Sequence, residues 1–353
     1  MGLPLTLPPR SICLLRLSAL GDVTHAVPVV RAIQKKWPYC RICWIIGKLE
    51  YKLLANLEGV EFIVFDKSRG MRAYLNLRRA LRGRSFDVLL HMQVAARANL
   101  ASLLIRAPIK LGWDKDRSLD RHQWFINHQV PAEQKQHQVQ GFLSFARTLG
   151  MDARVPEWNL PVTEDARDFA RQYIRGDQPC LLISPCSSNA NRSWQADRYA
   201  MVADFAILEL GMQVVLCGGP TEFDKSMAAR IEAHMQGEAL NLVAKDTLQQ
   251  LLGLLARADV VLSPDSGPAH IANALGTPVI GLHACSSALR SGPYNSLEYT
   301  VDHFNEAMRK FKNADPDHAR WRTKVEQPGV MELITVAEVK QKLAAFHARM
   351  STA

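Results

Sequence analysis

The chain has 353 residues and a formal net charge of +9. Hydrophobic residues make up 48% and charged residues 22%, which is typical of a soluble globular protein and argues against a disordered, collagen-like or coiled-coil chain. No stretch approaches the roughly 18 uncharged apolar residues of a membrane span. The first nine residues lack the basic start of a secretory signal. At roughly 150 residues per domain, the length suggests about two domains.

Short apolar runs alternate with amphipathic stretches in the first 105 residues. The apolar runs predict strands over Ile12–Leu17, Cys40–Ile46, Glu61–Phe65 and Asp87–Met92. The amphipathic stretches predict helices over Val23–Trp37, Tyr51–Leu57, Arg72–Leu81 and Ala96–Ile105. This alternation predicts a parallel sheet covered by helices. Residues 106–160 are less regular and rich in Trp, His and charge.

The same pattern restarts after residue 178. Strands are predicted over Cys180–Ser184, Gln213–Cys217, Val260–Leu262 and Val279–Leu282. Helices are predicted over Ala196–Leu210, Asp224–His234, Leu248–Ala256, Ala269–Leu275 and Val336–Met350. Pro161, Gly176 and Pro179 punctuate the connecting segment, and we place the boundary after residue 168. We therefore expect an α/β protein of two doubly wound domains, residues 1–168 and 169–353, facing one cleft.

The loop Ser18–Asp22 joins the first predicted strand to the first helix. Gly21 permits a tight turn, and Asp22 falls at the helix start. Asp22 can be an N-cap that satisfies free backbone N–H groups. A carboxylate at the carboxyl end of a strand can equally act as a general base, and the spacing alone does not choose between the two roles.

The segment Ser263–His270 is the strongest local signal, because it follows a predicted strand and opens a helix. Pro268 suits the first turn, where its missing N–H has no cost. Gly267 lets the backbone approach a ligand, and free N–H groups at a helix start form an anion site. An ordinary capped helix would explain Ser266 and Pro268 but not the further presence of Asp265 and His270. We expect a diphosphate to bind here.

Two further loops follow predicted strands. In Ser184–Trp194, the hydroxyls of Ser187 and Ser188 with the cation Arg192 suit phosphate binding, although turn residues and a solvated Arg are the safer interpretation of this loop by itself. In the loop after Cys217, Glu222 can accept hydrogen bonds from a ribose or be a solvated residue near a helix start.

Basic residues are concentrated in the first half. Residues 1–175 contain 27 Lys and Arg against 15 Asp and Glu, whereas residues 176–353 contain 16 against 19. The segment Lys67–Arg84, which includes Arg69 and Arg72, holds seven cations and no acid, and Arg117 and Arg121 can extend the same surface. A solvated face is the usual explanation of such a run, but this density favours an anionic partner such as nucleic acid, an acidic membrane or a phosphorylated sugar.

Metal and redox motifs are weak. Asp114-Lys115-Asp116 lies in an irregular stretch, so we interpret it as surface charge. The seven Cys include one isolated CxxC, Cys40–Cys43, and the apolar surroundings of Cys13, Cys43, Cys180 and Cys217 predict reduced buried thiols. No metal site is predicted.

Taken together, these loops resemble the ADP-heptose:lipopolysaccharide heptosyltransferases, a bacterial family with the two-domain GT-B fold. The segments that carry the resemblance are Arg16–Pro28, Ser187–Trp194 and Asp265–Pro278. After Gly281, the segment Leu282–Ser287 departs from the usual family pattern. We therefore expect the rim of the donor or acceptor site to differ from that of the family. The resemblance also makes the C-terminal helix a candidate to pack back on the N-terminal domain.

The resemblance implies a role for each matching residue. Asp22 corresponds to the catalytic Asp that deprotonates the acceptor hydroxyl for inverting attack on the anomeric carbon. Arg192 stands where the family usually has Lys, and Glu222 corresponds to the ribose-binding acid. The implied donor-binding residues are Ser187, Ser188, Arg192, Glu222, Asp246, Asp265, Ser266, Gly267 and His270. We assign acceptor binding to Arg69, Arg72, Arg117 and Arg121.

The expected activity is transfer of heptose from ADP-L-glycero-D-manno-heptose to the lipopolysaccharide inner core, without an obligatory metal or other cofactor. The second domain would hold the nucleotide sugar, and the basic first domain would hold an anionic, Kdo-bearing lipid A or core acceptor. The enzyme would be cytoplasmic, in peripheral contact with the inner membrane, and without a nucleic-acid partner. The alternatives are transfer of another sugar such as N-acetylglucosamine or rhamnose, a basic nucleic-acid-binding protein, and a non-catalytic sugar-nucleotide sensor.

Overall fold

A computed structural model describes residues 2–350. The chain forms two compact units, one ending at Pro161 and the other beginning at Val162. This boundary lies before the predicted one, which would have cut through a helix over Glu164–Tyr173.

The first unit is built around one six-stranded parallel sheet. Its strands are β1 (Ser11–Leu15), β2 (Arg41–Gly47), β3 (Val60–Phe65), β4 (Val88–His91), β5 (Ile109–Gly112) and β6 (His128–Gln129). Its helices are α1 (Leu20–Lys36), α2 (Lys48–Leu54), α3 (Met71–Ala80), α4 (Ala96–Ser102) and α5 (Gln138–Thr148).

The strand order is β3-β2-β1-β4-β5-β6, with β1 at the centre. Every residue of β1 is buried, and Ile12 lies opposite Ile42 on one side and Val88 on the other. Strands that are covered on both faces are continuous apolar runs in the sequence. This pattern is why the buried strands of this sheet could be predicted. The order reverses between β1 and β4, and ligands of such sheets bind beyond the carboxyl ends of the strands at this switch point.

The second unit repeats the plan. Its strands are β7 (Cys180–Ile183), β8 (Gln213–Leu216), β9 (Leu240–Asn241), β10 (Val260–Pro264), β11 (Val279–His283) and β12 (Val301–Asp302). Its helices are α6 (Glu164–Tyr173), α7 (Ala196–Asp204), α8 (Glu222–His234), α9 (Leu248–Arg257), α10 (Gly267–Leu275), α11 (Ala288–Ser291), α12 (Phe304–Lys312) and α13 (Val336–Met350).

The second sheet has the order β9-β8-β7-β10-β11-β12, the same winding as the first. Its switch point lies between β7 and β10. The prediction of two doubly wound α/β units is therefore confirmed. None of the helices within residues 2–350 is long and apolar enough to cross a bilayer.

The first and last helices of the second unit, α6 and α13, both pack within that unit. Helix α6 packs so closely on α9 that a Cβ atom on Gly253 would clash with the carbonyl oxygen of Ala166, so only glycine fits there. Helix α13 buries Val339, Leu343 and Phe346 in the core of the second unit. The expectation that this helix also packs back on the N-terminal domain stays a prediction.

Candidate active site

Asp22 lies at the switch point of the first sheet, in the first turn of α1. It is not the N-cap residue, a position that Ala19 occupies, but its Oδ2 accepts a hydrogen bond from the Ala19 backbone N–H at 3.2 Å. The side chain of Asp22 remains 24% exposed. The same carboxylate therefore helps to cap α1 and stays open to a ligand, so the two roles weighed from the sequence do not exclude one another.

Two side chains that the sequence did not identify hold Asp22 in place. Arg16, at the end of β1, forms an ion pair with Oδ2 through Nη2. Gln138, at the start of α5, donates to Oδ1 at 2.5 Å. Arg16 is itself fixed, because its Nη1 donates to the Met92 carbonyl at 2.6 Å and its guanidinium lies 5.4 Å from the centre of the Phe142 ring. The base candidate is thus held from two elements far apart in sequence.

The anion-site candidate lies at the switch point of the second sheet, where β10 meets α10. Ser266 is the N-cap of α10 and accepts from the Ala269 N–H at 3.4 Å. Ser263 anchors the Ser266 hydroxyl at 2.8 Å and donates to the Ser184 carbonyl at 3.0 Å. Gly267 begins the helix without a side chain, so its own backbone N–H and the positive end of the helix dipole can approach an anion. Pro268 has no N–H, and the N–H groups of Ala269 and His270 already bond Ser266.

The carboxylate of Asp265 lies beside this helix start, but its oxygens are already engaged. Ser286 donates to Oδ2 at 2.6 Å, Ser291 approaches the same oxygen at 3.4 Å, and the His270 Nε2 lies 3.3 Å from Oδ1. Burial opposes the charge, but hydrogen bonds from His270 and Ser286 and the nearby His283 ring outweigh it, holding the pKa of Asp265 well below its usual range. Asp265 therefore organises the loops around the helix start.

Ser286 and His283 belong to the segment in which the sequence departs from the family pattern. The His283 Nδ1 lies 3.3 Å from the Ser286 carbonyl, and both residues are buried. The departure therefore supplies partners to Asp265 rather than leaving the carboxylate unsupported. Local sequence gave no sign of this role.

The loop after β7 joins the same cluster. Ser187 is buried, and its hydroxyl donates to the Asp265 carbonyl at 3.0 Å, whereas Ser188 is exposed. Arg192 donates Nε to Glu326 Oε1 at 2.7 Å and forms a second contact through Nη2. Ser187 therefore fixes the loop of Asp265, and Arg192 is neutralised by Glu326.

Glu326 and Lys324 were not found from the sequence. Asn191 donates to the Glu326 carbonyl at 3.0 Å, and Val325 donates to the Cys285 carbonyl at 2.8 Å, which fixes this segment beside the β7 and β11 loops. Lys324 Nζ lies 3.9 Å from Glu326. Burial and the nearby Arg192 lower the pKa of Lys324. Two cations therefore share one carboxylate here, an arrangement suited to accept a further anion.

The two remaining donor candidates differ in their surroundings. Glu222 opens α8, is highly exposed and pairs with Lys225 at 2.8 Å, the geometry of a solvated residue. Asp246 precedes α9 and is partly buried, and burial raises the pKa of its carboxyl to about 6. The structure gives Asp246 the more unusual environment of the two.

The four arginines assigned to the acceptor divide into exposed and engaged residues. Arg69 and Arg72 are exposed, and Arg69 lies 3.6 Å from Asp66. Arg121 is exposed with its guanidinium 4.7 Å from the centre of the Trp124 ring. Arg117 instead bonds Asp114, donates to the Pro131 carbonyl at 2.7 Å and stacks on Trp113. The Arg117 side chain therefore stabilises its own loop through Asp114, Pro131 and Trp113.

The Asp114-Lys115-Asp116 motif was interpreted as surface charge, which is wrong for Asp114. Asp114 is buried, and its Oδ1 accepts from the backbone N–H groups of Asp116 and Arg117 at 3.0 and 3.2 Å. The motif is a side-chain-capped turn. All seven Cys are free, and Cys13, Cys43, Cys180 and Cys217 are buried as predicted. Residues 2–350 contain no group of three or more His, Cys, Asp or Glu side chains placed to hold a metal ion.

Comparison with known proteins gives the family of this chain. The model of glycosyltransferase family 9 (heptosyltransferase) matches residues 74–319. The lipopolysaccharide core heptosyltransferase OpsX of Haemophilus influenzae is 39% identical over 341 residues, covering 96% of this chain and 98% of the relative.

Two solved structures share the fold. The glycosyl transferase family 9 protein from Veillonella parvula superposes with a TM-score of 0.78 at 20% identity, covering 96% of this chain and 97% of that chain. The ADP-heptose lps heptosyltransferase II of E. coli superposes with a TM-score of 0.73 at 21% identity, covering 97% of this chain and 99% of that chain. The resemblance inferred from three loops is confirmed over nearly the whole length. The chain therefore belongs to glycosyltransferase family 9, the heptosyltransferases.

Proposed function

We propose that this protein transfers heptose from ADP-L-glycero-D-manno-heptose to the inner core of lipopolysaccharide, with inversion at the anomeric carbon. The observation that carries the proposal is the 39% identity to OpsX, because it extends over 96% of the chain and so includes both units. The geometry of the two switch points supports a division of work between a base and an anion site.

The second unit binds the donor in this proposal. The diphosphate lies at the start of α10, beside the Gly267 N–H and the positive end of the helix dipole. Arg192 and Lys324 add positive charge on the adjoining loops. Ser187, Ser188 and His270 border this site, Asp265 fixes its loops, and Glu222 and Asp246 bind the nucleoside end of the donor.

The first unit supplies the base and the acceptor site. Asp22 removes the proton of the acceptor hydroxyl, the oxygen forms a bond to the anomeric carbon, and the bond from that carbon to the diphosphate breaks. The negative charge on the departing ADP is stabilised by the start of α10 and by Arg192. Gln138 and Arg16 hold the carboxylate of Asp22 so that one oxygen can face the hydroxyl.

The acceptor in this proposal is the anionic, Kdo-bearing lipid A or core saccharide. The first unit, residues 1–161, carries 24 Lys and Arg against 12 Asp and Glu, which suits a phosphorylated ligand. Arg69, Arg72 and Arg121 are exposed and can contact it. Arg117 supports the loop that it shares with Arg121, through Asp114 and Pro131. Because the acceptor is a lipid, the enzyme would work in the cytoplasm, peripherally at the inner membrane.

The test is mass spectrometry of Kdo-bearing lipid A after incubation with the purified protein and ADP-heptose. We expect a mass increase of one heptose residue and an anomeric configuration opposite to that of the donor. Nucleotide-activated N-acetylglucosamine and rhamnose are run in parallel, and incorporation from either of these but not from ADP-heptose would replace the proposed donor. Activity that persists after exhaustive chelation would support a metal-independent reaction, and its loss would refute that part.

A further inference from the structure

Helices α3 and α4 cover the same face of the first sheet. Ala73 and Leu77 of α3 pack in one apolar cluster with Ala98 and Ala101 of α4. The Tyr74 hydroxyl donates to the Arg97 carbonyl at 3.3 Å, so the two helices are neighbours. Their outer sides therefore lie next to one another on the protein surface.

That outer surface carries exposed apolar side chains. On α3, Met71 and Leu75 are 74% and 51% exposed, and their i,i+4 spacing places them on one side of the helix. On and just beyond α4, Leu100 and Leu103 are 51% and 61% exposed at i,i+3 spacing. Single exposed apolar residues are normal, but two matching stripes on adjoining helices are not.

The turn over residues 119–125 extends this surface. Asp120 joins the turn to α4, because its carboxylate accepts from the Ala96 N–H at 2.9 Å and its carbonyl accepts from Asn99 at 2.9 Å. Trp124 in this turn is 73% exposed. A Trp with its ring in the open and an Arg beside it has the composition of a membrane–water interface.

Positive charge surrounds the apolar stripes. Residues 67–110 contain ten Lys and Arg and a single acid, Asp87. Asp87 is occupied by the backbone N–H groups of Arg10 and Ser11 at 2.6 and 2.9 Å. The exposed cations on or beside the two helices are Arg72, Arg78, Arg79, Arg82, Arg97 and Arg106. The surface is therefore both apolar and strongly basic.

We propose that α3, α4 and the turn over residues 119–125 form a docking surface for an anionic phospholipid bilayer. The arginines contact lipid phosphates, and Met71, Leu75, Leu100, Leu103 and Trp124 enter the headgroup region. Exposed aliphatic stripes between the arginines favour lipid over nucleic acid, which would be bound by cations and aromatic faces. The inference rests on the proposed function only in that a lipid-linked acceptor is presented at such a surface.

The experiment is flotation of the full-length protein with vesicles that contain no lipopolysaccharide. Phosphatidylcholine vesicles are compared with vesicles that also contain phosphatidylglycerol. The charge variant is Arg78→Glu with Arg79→Glu, matched by Lys36→Glu with Arg154→Glu, which are exposed cations elsewhere in the same unit. The apolar variant is Leu100→Ser with Leu103→Ser, matched by Met201→Ser with Leu208→Ser on the second unit.

We expect the unaltered protein to float with anionic vesicles and not with neutral ones, and high salt to release it. Because each cation near an anionic membrane is worth about 1 kcal/mol, the charge variant should weaken the partition coefficient by at least about tenfold. The apolar variant should weaken it by a smaller but measurable factor, and both controls should float like the parent.

Transfer to a soluble, delipidated acceptor separates this proposal from the proposed function. The two α3–α4 variants should retain that transfer, with unchanged circular dichroism and melting temperature. Equal flotation of variants and controls, self-association that depends on these residues, or duplex DNA binding in place of vesicle binding would each overturn the docking surface. Absence of transfer in the unaltered protein would instead refute the proposed function and leave the flotation result standing.

Discussion

The two units wind their strands in one order but carry opposite charge at equivalent positions. At the β1/β4 switch point the first unit exposes a carboxylate, Asp22, which Arg16 and Gln138 hold. At the β7/β10 switch point the second unit presents the start of α10 and the cation Arg192. Two carboxylates of this loop cluster are already occupied: Asp265 by hydroxyl and imidazole donors, and Glu326 by Arg192.

This difference shows what topology does and what side chains do. The strand order brings loops to the carboxyl ends of both sheets. Side chains then decide whether such a loop repels an anion or attracts one, because an ionised carboxylate and the positive end of a helix dipole carry opposite charge. A base and a leaving-group site can thus arise from one fold used twice.

Asp22→Asn should give the largest effect. The amide keeps the size of the side chain but cannot take a proton, so transfer should fall about 10³-fold, within the usual range for a positioned base. The measurement is initial rate at saturating donor and acceptor. Asp152→Asn, which alters a highly exposed carboxylate in the same unit, is the control and should leave the rate unchanged.

Arg192→Met should act on the donor. Loss of a charged hydrogen-bond donor to the diphosphate costs about 1.5–3 kcal/mol, so the KM for ADP-heptose should rise about 10–100-fold. Steady-state kinetics with varied donor measure this. Arg175→Met, at an exposed position of the same unit, is the matched change. An unaltered donor KM would remove Arg192 from the anion site.

Arg16→Met should affect turnover more than binding. Arg16 joins Asp22 to the Met92 carbonyl, so its loss lets the carboxylate move while the second unit stays as it is. We expect kcat to fall about tenfold, because a small displacement of a catalytic group is costly, with the donor KM unchanged. Arg16→Lys should recover part of the rate. A rise in donor KM without a change in kcat would assign Arg16 to binding.

Glu326→Gln should tighten nucleotide binding. Glu326 neutralises Arg192 in the unliganded protein, and a diphosphate must compete with it. Removing a half-buried competitor worth about 1 kcal/mol should lower the Kd for ADP about fivefold. Calorimetric titration reports the change, with Glu332→Gln, an exposed residue, as the reference. Weaker binding would show that Glu326 instead holds Arg192 in its working position.

Asp246→Asn should have the smallest effect, on stability. The native pKa is about 6, above the usual value of about 3.9, so the folded protein retains a proton that the unfolded chain releases between these values. The carboxylate therefore destabilises the fold as pH rises through this window, and fully above it. The variant should gain about 1 kcal/mol at pH ~7.5 and nothing near pH ~3.5. Denaturant titration at both pH values measures this, and an equal gain at both would contradict it.

Local pattern was enough to predict nine of the helices and the strands β1–β4, β7, β8, β10 and β11, but not the short strands β5, β6, β9 and β12. The predicted helix over Val336–Met350 coincides with α13, and the predicted strand over Val260–Leu262 lies within β10. Helix α5 was missed, because it lies in the irregular Trp- and His-rich stretch and is capped by His137, an uncommon capping residue. Without α5, the contact of Gln138 with Asp22 could not be foreseen.

Candidate site residues were predicted only where they lie together in one loop of the sequence. Asp265 to His270 and Ser18 to Asp22 are contiguous, so their spacing indicated a candidate anion site and left Asp22 as either a helix cap or a base. Arg192 and Glu326 are 134 residues apart, and Asp22 and Gln138 are 116 apart. Such pairs depend on how the fold brings distant strands and loops together. Hydrophobic periodicity and secondary-structure propensity describe only local structure and do not predict these contacts.

The division of work between the units is tested most directly by titrating ADP into Asp22→Asn in a calorimeter, beside the turnover of the same preparation. Our account predicts the Kd of the parent protein together with turnover reduced about 10³-fold. Loss of ADP binding in this variant, or parental turnover, would contradict it.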